Sequence, residues 1–227
     1  MNYSANGRWR TRNCAATFMT MKIKICGLTN AEDAQAAAEA GADALGFVFY
    51  RKSPRYVELP VAKAIISRLP PFVLPVGVFV NEQVKVVRDI MDECGLAFAQ
   101  LHGDESASYC DSLARPVLRA IRLQGRGDLL ALAEYKGRVQ VRGFLVDAFS
   151  ERAYGGTGRL VDWTLAAEAA KATHILLAGG LTPDNVQEAI RQVRPYGVDV
   201  SSGVEASPGK KDPEKVKAFI RAARLVS

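Results

Sequence analysis

The sequence contains few of the residues on which metal and disulfide chemistry depends. It has four cysteines and two histidines in 227 residues. The cysteines stand at positions 14, 26, 94 and 110, so they form none of the closely spaced pairs typical of zinc sites and redox-active motifs. We therefore predict no histidine-rich metal site, and reduced thiols of the kind found in cytoplasmic proteins.

Long apolar runs are also absent from the chain. The longest run, residues 72–80, has the length of a strand and contains Pro75 and Gly77. A membrane-spanning helix needs about 18 or more consecutive apolar residues. The sequence therefore excludes a transmembrane protein, and we expect no membrane partner.

Acidic residues are outnumbered by basic ones, which gives a formal net charge of +6. Half of this excess comes from Arg8, Arg10 and Arg12, and the other basic residues are dispersed, apart from the pair Lys210 and Lys211. Nucleic-acid binding usually requires a basic patch with interleaved aromatic residues, which this sequence lacks. We therefore predict no nucleic-acid partner, whereas an anionic small substrate suits the charge.

Residues 1–20 differ in composition from the rest of the chain. They carry arginines but no acidic residue, and they are rich in Asn, Ser and Thr. Transit peptides have this composition, but the segment shows no clear amphipathic helix. We favour the alternative of an upstream start codon, with Met21 as the true beginning. The predicted organisation is an N-terminal extension, residues 1–20, and one catalytic domain, residues 21–227.

From Met21 onward, short apolar runs alternate with helical patterns. The predicted strands are residues 22–26, 44–49, 73–80, 97–101, 117–122, 144–147, 174–178 and 198–201. The predicted helices are residues 31–40, 61–68, 82–93, 105–114, 128–135, 163–170, 183–193 and 213–225. Eight strand–helix units predict an α/β protein with a single-domain (β/α)8 or TIM barrel, because doubly wound sheets more often have five or six strands.

Three of the predicted helices carry recognisable start signals. Thr29 followed by Glu32 predicts a capping box. Thr182 and Pro183 predict a helix that begins with proline at its first position. Asp162, just before the sixth helix, is predicted to be its N-cap.

In such a barrel, chemistry belongs at the C-terminal ends of the strands. Side chains alternate between the two faces of a strand, so Lys24 and Cys26 of the first strand are predicted to point into the barrel. The same alternation turns Asp147 of the sixth strand and Asp199 of the eighth inward. We therefore expect ionisable groups to converge on one mouth of the barrel.

Glycine-rich turns follow the last two predicted strands. Gly179 and Gly180 follow the seventh, and Ser202 and Gly203 follow the eighth. Glycines let backbone N–H groups approach an anion closely, and barrels often bind phosphate at these two loops. A third cluster, residues 154–158 with Gly156, follows Asp147 and suits a mobile lid. A simple flexible connection is the alternative for this third cluster.

Short motifs follow the predicted strands in one unbroken order. They are KICGLT (24–29), GFVF (46–49), SPRYV (53–57), VGVFVN (76–81), QLHGD (100–104), LVD (145–147), GGTG (155–158), LAGGL (177–181) and VDVSSGVE (198–205). Together they resemble the phosphoribosylanthranilate isomerase family of tryptophan biosynthesis, from Met21 to the end of the chain. The strand motif at residues 24–27, combined with SSGVE at residues 201–205, is the most specific part of this resemblance.

The resemblance implies an Amadori rearrangement of an aminoaldose to an aminoketose, without a metal or organic cofactor. It implies that Cys26 is the general base and Asp147 the general acid. A free thiol has a pKa of about 8.5, so we expect a neighbour, with Lys24 as the candidate, to favour the thiolate. By the same resemblance Arg55 pairs with the anthranilate carboxylate, and Asp199 has an assisting role.

The predicted substrate-binding set combines Arg55 and Asp199 with the glycine-rich loops: Gly156, Gly179, Gly180, Ser202 and Gly203. The partner is therefore a phosphorylated small molecule, and the chain is expected to be a monomer or a homodimer. His102 is left open between a packed structural histidine and a substrate contact, and His174 is interpreted as structural. Cys94 and Cys110, on helices, are interpreted as small buried hydrophobic residues.

Rival functions differ in the residues they require. An isomerase of the histidine pathway uses two carboxylates, whereas the first strand here ends in Cys26. A metal-dependent epimerase requires histidines at strand ends, and indole-glycerol-phosphate synthase requires catalytic lysines there. A phosphate-ligand sensor would retain binding without Cys26 and Asp147, and an RNA-binding barrel would lose affinity steeply with salt.

Overall fold

The computed structural model describes residues 20–148 and 162–226. Eight parallel strands close into a barrel in sequential order. They are β1 Lys22–Cys26, β2 Ala44–Val48, β3 Leu74–Phe79, β4 Phe98–Leu101, β5 Val117–Leu123, β6 Val141–Ala148, β7 Ile175–Leu177 and β8 Gly197–Val200. The predicted (β/α)8 barrel is confirmed. The predicted lid, residues 154–158 with Gly156, lies outside the described residues.

A helix follows each strand. The helices are α1 Ala31–Glu39, α2 Leu59–Ile66, α3 Val84–Cys94, α4 Ala107–Leu113, α5 Arg126–Tyr135, α6 Trp163–Ala172, α7 Val186–Val193 and α8 Pro213–Arg224. Between β8 and α8 a short 3-10 turn precedes the strand pair β9, Glu205–Ser207, and β10, Lys210–Lys211. Within the described ranges, no helix is long and apolar enough to cross a membrane.

The apolar residues form two layers, as the alternation of strand side chains requires. Ile23 and Ile25 of β1 belong to the main core between the barrel and the helices. The barrel interior holds smaller clusters, one of which joins Cys26 to Val48 and Val78. The predicted inward orientation of Cys26 is therefore confirmed. Cys94 and Cys110 are buried on α3 and α4, also as predicted.

The predicted capping box of Thr29 and Glu32 is wrong. The N-cap of α1 is Asn30, whose side chain accepts a hydrogen bond from Asp33 N at 2.8 Å and donates one to Asp33 Oδ2 at 2.9 Å. The Thr29 hydroxyl instead donates to the carbonyl of Gly209, 2.6 Å away. The Thr29 side chain therefore bonds to a loop that is distant in sequence and does not cap α1.

The predicted start of α7 at Pro183 is also wrong, because the helix begins at Val186 after Asn185. The Asn185 side chain accepts a hydrogen bond from Thr182 N at 2.8 Å and donates one to Gly180 O at 2.9 Å. These bonds close a turn before the helix and hold the glycine-rich loop after β7.

At α6, the predicted N-cap is confirmed, since Asp162 accepts a hydrogen bond from Thr164 N at 2.8 Å.

Candidate active site

The C-terminal mouth of the barrel holds three side chains that were predicted to face inward, Cys26, Asp147 and Asp199, and also His102. Cys26 ends β1, His102 follows β4, Asp147 lies near the end of β6 and Asp199 lies in β8. Each of these residues is at most 7% exposed. Buried polar groups are costly unless they are paired or have a function, so their convergence marks this mouth as the candidate active site.

Lys24 and Asp199 form an ion pair inside the barrel. The register of β1 and β8 places the two residues side by side, and Lys24 Nζ lies 2.7 Å from Asp199 Oδ1. Burial lowers the pKa of Lys24, but Asp199 and the neighbouring Cys26 more than offset this and raise it above its ordinary value. The ion pair with Asp199 thus favours the charged form of Lys24 beside the thiol.

Burial is the largest influence on the pKa of the Cys26 thiol. Burial raises its pKa, Lys24 and Lys211 act in the opposite direction, and Asp199 adds to the increase, so the pKa lies above its ordinary value. Lys24 thus acts in the predicted direction, since it favours the thiolate, but the effect of burial on the pKa is larger. Gly46 provides room for the thiol, because a Cβ at position 46 would lie 2.6 Å from Cys26 Sγ.

Arg55 lies in a second charge cluster at the same mouth. Its Nε and Nη2 each donate to Glu205 at 2.8 Å, which occupies the side-on edge of the guanidinium. Glu205 Oε1 also accepts from Lys211 Nζ at 2.9 Å. Burial raises the pKa of Glu205, but the hydrogen bonds from Arg55 and the charge of Lys211 more than offset it and lower the pKa below its ordinary value. The end-on edge of Arg55, formed by Nη1 and Nη2, is the edge at which a second carboxylate could bind in the same two-bond manner.

Asp147 lies beside a histidine on the neighbouring side of the barrel. His102 Nε2 is 3.3 Å from Asp147 Oδ2, although the angle is not that of an aligned hydrogen bond. The other ring nitrogen of His102, Nδ1, is 3.0 Å from Gln100 Nε2. His102 is therefore a neighbour of Asp147, which the sequence had left undecided.

The glycine-rich loops after β7 and β8 line one small cavity together with Asp147 and Asp199. Its lining includes Gly179, Gly180, Ser202 and Gly203. Gly203 is required by close packing, because a Cβ there would lie 1.9 Å from the carbonyl oxygen of Leu181. The arrangement places closely packed backbone from both loops at one cavity. Backbone N–H groups in such glycine-rich loops can bind an anion.

Three residues of the site were not singled out from the sequence. Lys211 had been counted as part of a basic pair in a loop, yet it is 2% exposed and bonds to Glu205. Gln100 appeared only as the first residue of the motif at residues 100–104. The spacing of Glu205 and Lys211 in one loop, six residues apart, was the available signal, but opposite charges at that distance are common and carry no specificity.

The comparisons with known proteins agree with this geometry. A profile of the N-(5′-phosphoribosyl)anthranilate (PRA) isomerase family matches residues 23–222. The N-(5′-phosphoribosyl)anthranilate isomerase of Citrifermentans bemidjiense is 53% identical over 206 residues, covering 91% of this chain and 98% of that protein. That of Geobacter sulfurreducens is 49% identical, covering 90% of this chain and 98% of its own.

Solved structures give the same result. The phosphoribosyl anthranilate isomerase of Thermotoga maritima has a TM-score of 0.84 and 41% identity, and covers 90% of this chain and 99% of its own. A phosphoribosyl anthranilate isomerase in complex with reduced 1-(o-carboxyphenylamino)-1-deoxyribulose 5-phosphate has a TM-score of 0.81, with 41% identity and the same coverage. The profile match, the relatives and the barrel agree: this chain belongs to the N-(5′-phosphoribosyl)anthranilate isomerase family.

Proposed function

We propose that this chain catalyses the Amadori rearrangement of N-(5′-phosphoribosyl)anthranilate to 1-(2-carboxyphenylamino)-1-deoxyribulose 5-phosphate, the third step of tryptophan biosynthesis from chorismate. Membership of the family carries the proposal. A solved relative with a reduced form of this product bound supports the choice of substrate. The thiol, carboxyl and arginine at the barrel mouth can supply the base, the acid and the carboxylate partner that this reaction uses.

Asp147 is the proposed general acid. It donates a proton to the ring oxygen of the ribose, the C1–O bond breaks, and the nitrogen lone pair forms an iminium with C1. A carboxyl group does this work efficiently when it is close to the reacting oxygen and shielded from water. The burial of Asp147 beside the glycine-rich loops after β7 and β8 supports this role.

Cys26 is the proposed general base. Its thiolate removes the proton from C2, the C2–H electron pair forms the C1–C2 double bond, and the iminium nitrogen accepts the displaced π electrons. The resulting enolamine then tautomerises to the ketone. Cys26 lies on β1 and Asp147 on β6, separated by β7 and β8 in the closed barrel. That separation leaves space for the sugar between acid and base.

Arg55 is the proposed partner of the anthranilate carboxylate. We expect Arg55→Ala to raise KM by about tenfold to a hundredfold, because a hydrogen bond to a charged group contributes about 1.5–3 kcal/mol. Steady-state kinetics measures the change, and Arg68→Ala, exposed just after α2, is the matched control. An unchanged KM in a variant that melts like the wild type would remove Arg55 from the binding site.

The phosphate is proposed to bind the loops of Gly179, Gly180, Ser202 and Gly203, with Gly156 contributing from outside the described residues. We expect Gly203→Ala to weaken binding of a product analogue by at least about tenfold, since the added Cβ must displace the backbone of one loop. Isothermal titration calorimetry measures the affinity. Gly127→Ala is the control, because a Cβ there meets nothing within 4 Å; unchanged affinity in Gly203→Ala would contradict the assignment.

The direct test of the activity uses freshly generated N-(5′-phosphoribosyl)anthranilate and follows its fluorescence. The wild-type chain is expected to consume the signal and to form the carboxyphenylamino ketose. A parallel assay with the aminoaldose of the histidine pathway separates the nearest alternative. Turnover of the second substrate alone, or of neither, would overturn the proposal.

We also propose that the chain forms a homodimer through the N-terminal end of the barrel. Phe72, between α2 and β3, is 97% exposed and has a positive φ of 70°, which is a strained conformation for a bulky residue. It lines a cavity of about 530 Å³ with Leu74, Phe98 and Leu176. A protruding aromatic side chain and an apolar cavity on one face are self-complementary, as a two-fold contact requires. A related enzyme from Thermotoga maritima is described as dimeric.

This proposal predicts that Phe72→Glu converts the dimer to a monomer. A charge introduced into an apolar contact carries a large desolvation cost. Light scattering coupled to size exclusion measures the mass, and Leu130→Glu, on an exposed position of α5, is the control. A monomeric wild type, or a dimer that persists in Phe72→Glu, would overturn the proposed interface.

We place the enzyme in the cytoplasm. Cys26, Cys94 and Cys110 are buried free thiols, which is the usual state of cysteine in a reducing compartment. The reaction belongs to amino-acid biosynthesis, and its phosphorylated substrate carries charges that do not cross membranes freely. Fractionation of cells that express the full chain, with the isomerase activity measured in each fraction, tests this location.

A further inference from the structure

Two buried side chains stand behind Asp147 without an established role. We propose that Gln100 and His102 form a chain of hydrogen-bond donors that positions Asp147, so that its Oδ1 oxygen carries and delivers the catalytic proton. The inference rests on the proposed role of Asp147 as the general acid. Both residues act through Asp147, so they are positioning residues for the reaction.

The three side chains lie next to one another in the order Gln100, His102, Asp147. Gln100 Nε2 lies 3.0 Å from His102 Nδ1, and His102 Nε2 lies 3.3 Å from Asp147 Oδ2. Gln100 is 1% exposed, and His102 and Asp147 are each 6% exposed. Within the part of the chain that the structure describes, neither His102 Nε2 nor Gln100 Oε1 has an aligned hydrogen bond. Two buried polar atoms left in this way are unusual, since nearly all such atoms are paired.

The direction of the chain follows from what each group can donate. The amide nitrogen of Gln100 only donates, so His102 Nδ1 accepts and the neutral ring carries its proton on Nε2. That proton is directed at Asp147 Oδ2. An Nε2–H donor satisfies Oδ2 both in the carboxylic acid, when the acidic proton is on Oδ1, and in the carboxylate. The same contact therefore serves Asp147 before and after it donates its proton to the ribose oxygen, and no proton needs to move within the chain.

The backbone around His102 is held from several sides. Its N–H donates to Phe79 O at 2.9 Å. The buried guanidinium of Arg119 donates to the carbonyls on either side of His102, to Leu101 O at 2.8 Å and to Gly103 O at 3.0 Å. A ring supported by such a fixed backbone keeps its distance from Asp147. The small rotation that would align Nε2–H with Oδ2 is of the kind that accompanies substrate binding.

Histidine NMR of the full-length chain tests the predicted tautomer directly. With only two histidines in the sequence, spectra of wild type and His102→Asn assign the ring nitrogens of His102. We expect a proton on Nε2 and none on Nδ1 at neutral pH. A proton on Nδ1 would overturn the proposal, because His102 could then only accept from Asp147.

Kinetics of matched variants tests the positioning role. His102→Gln places an amide close to the original Nε2, whereas the shorter side chain of His102→Asn does not reach Asp147. We expect His102→Asn to lower kcat by about tenfold to a hundredfold, as for other outer hydrogen-bond partners of functional groups, with KM changed by less than about twofold. His102→Gln should recover most of the loss. A parallel fall of kcat, KM and melting temperature in both variants would indicate a structural role only.

A variant at Gln100 provides a second, independent test of the proposal. Gln100→Glu offers only acceptors, so it reverses the chain by holding a proton on His102 Nδ1, and kcat should fall while product-analogue affinity stays the same. Gln192→Glu, on an exposed position of α7, is the matched control. Asp147→Asn is the reference: if it retains activity, the proposed acid is wrong, and if it alone loses activity, only the inference about Gln100 and His102 fails.

Discussion

Cys26→Ala is expected to lower kcat by about 10²–10⁴-fold, because general-base catalysis typically contributes that much. The variant retains Asp147, Arg55 and the glycine-rich loops after β7 and β8. Its affinity for a product analogue should therefore match that of the wild type. Removal of a small buried side chain should leave the melting temperature nearly unchanged. The fluorescence assay measures the rate, and calorimetry measures the affinity.

Cys94→Ala is the matched control for this result. Cys94 is also buried, but it ends α3, which runs back from the mouth to the opposite end of the barrel. The activity of Cys94→Ala should equal that of the wild type. If Cys26→Ala turned over substrate as fast as Cys94→Ala, another group would have to be the base.

The pH dependence gives a further readout for the same thiol. A general base works only when it is deprotonated, and burial raises the pKa of Cys26 above its ordinary value. In the free enzyme, kcat/KM of the wild type should therefore rise with pH through the neutral range and continue to rise near pH 9. This rise should be absent from the residual activity of Cys26→Ala.

Asp147→Asn is expected to lower kcat by a similar factor, about 10²–10⁴-fold. The amide has nearly the same shape and can donate a hydrogen bond, but it cannot transfer a proton to the ribose oxygen. Binding of the product analogue should persist, because Arg55 and the glycine-rich loops after β7 and β8 are intact. The measurement is kcat from full progress curves, with thermal unfolding as the check on the fold.

Asp89→Asn, on an exposed position of α3, is the control for the same substitution away from the site. It should be indistinguishable from the wild type in both assays. Retention of more than about a tenth of the wild-type kcat in Asp147→Asn would contradict the proposed acid, since proton transfer would then contribute too little.

Most of the fold was predictable from residue patterns alone. The two-residue alternation of β-strands and the helical spacing between them depend on neighbours in the chain, so they place eight strands and eight helices in order. The boundaries were less accurate where a loop competed for a capping side chain. Thr29 bonds to Gly209 and not to its own helix, and Asn185 closes a turn where proline had suggested a helix.

The candidate site was predicted in its composition but not in its pairings. Alternation along single strands predicted that Cys26, Asp147 and Asp199 would share one mouth, and the closed barrel confirms this. The partner of Arg55 was not predicted, because Glu205 lies 150 residues further along the chain. His102 could not be decided from the sequence, since its role depends on a side chain two strands away.

Local sequence therefore determines which segments are strands or helices and the face on which each side chain lies. Both depend on the two-residue repeat of strands and the 3.6-residue repeat of helices. Closure of the barrel decides which groups meet. β1 pairs with β8, so Lys24 reaches Asp199 across 175 residues of sequence. Burial, which only the folded chain provides, then outweighs Lys24 and raises the pKa of the Cys26 thiol. The protonation state of the site is thus a property of tertiary packing, because it depends on how much water each group loses.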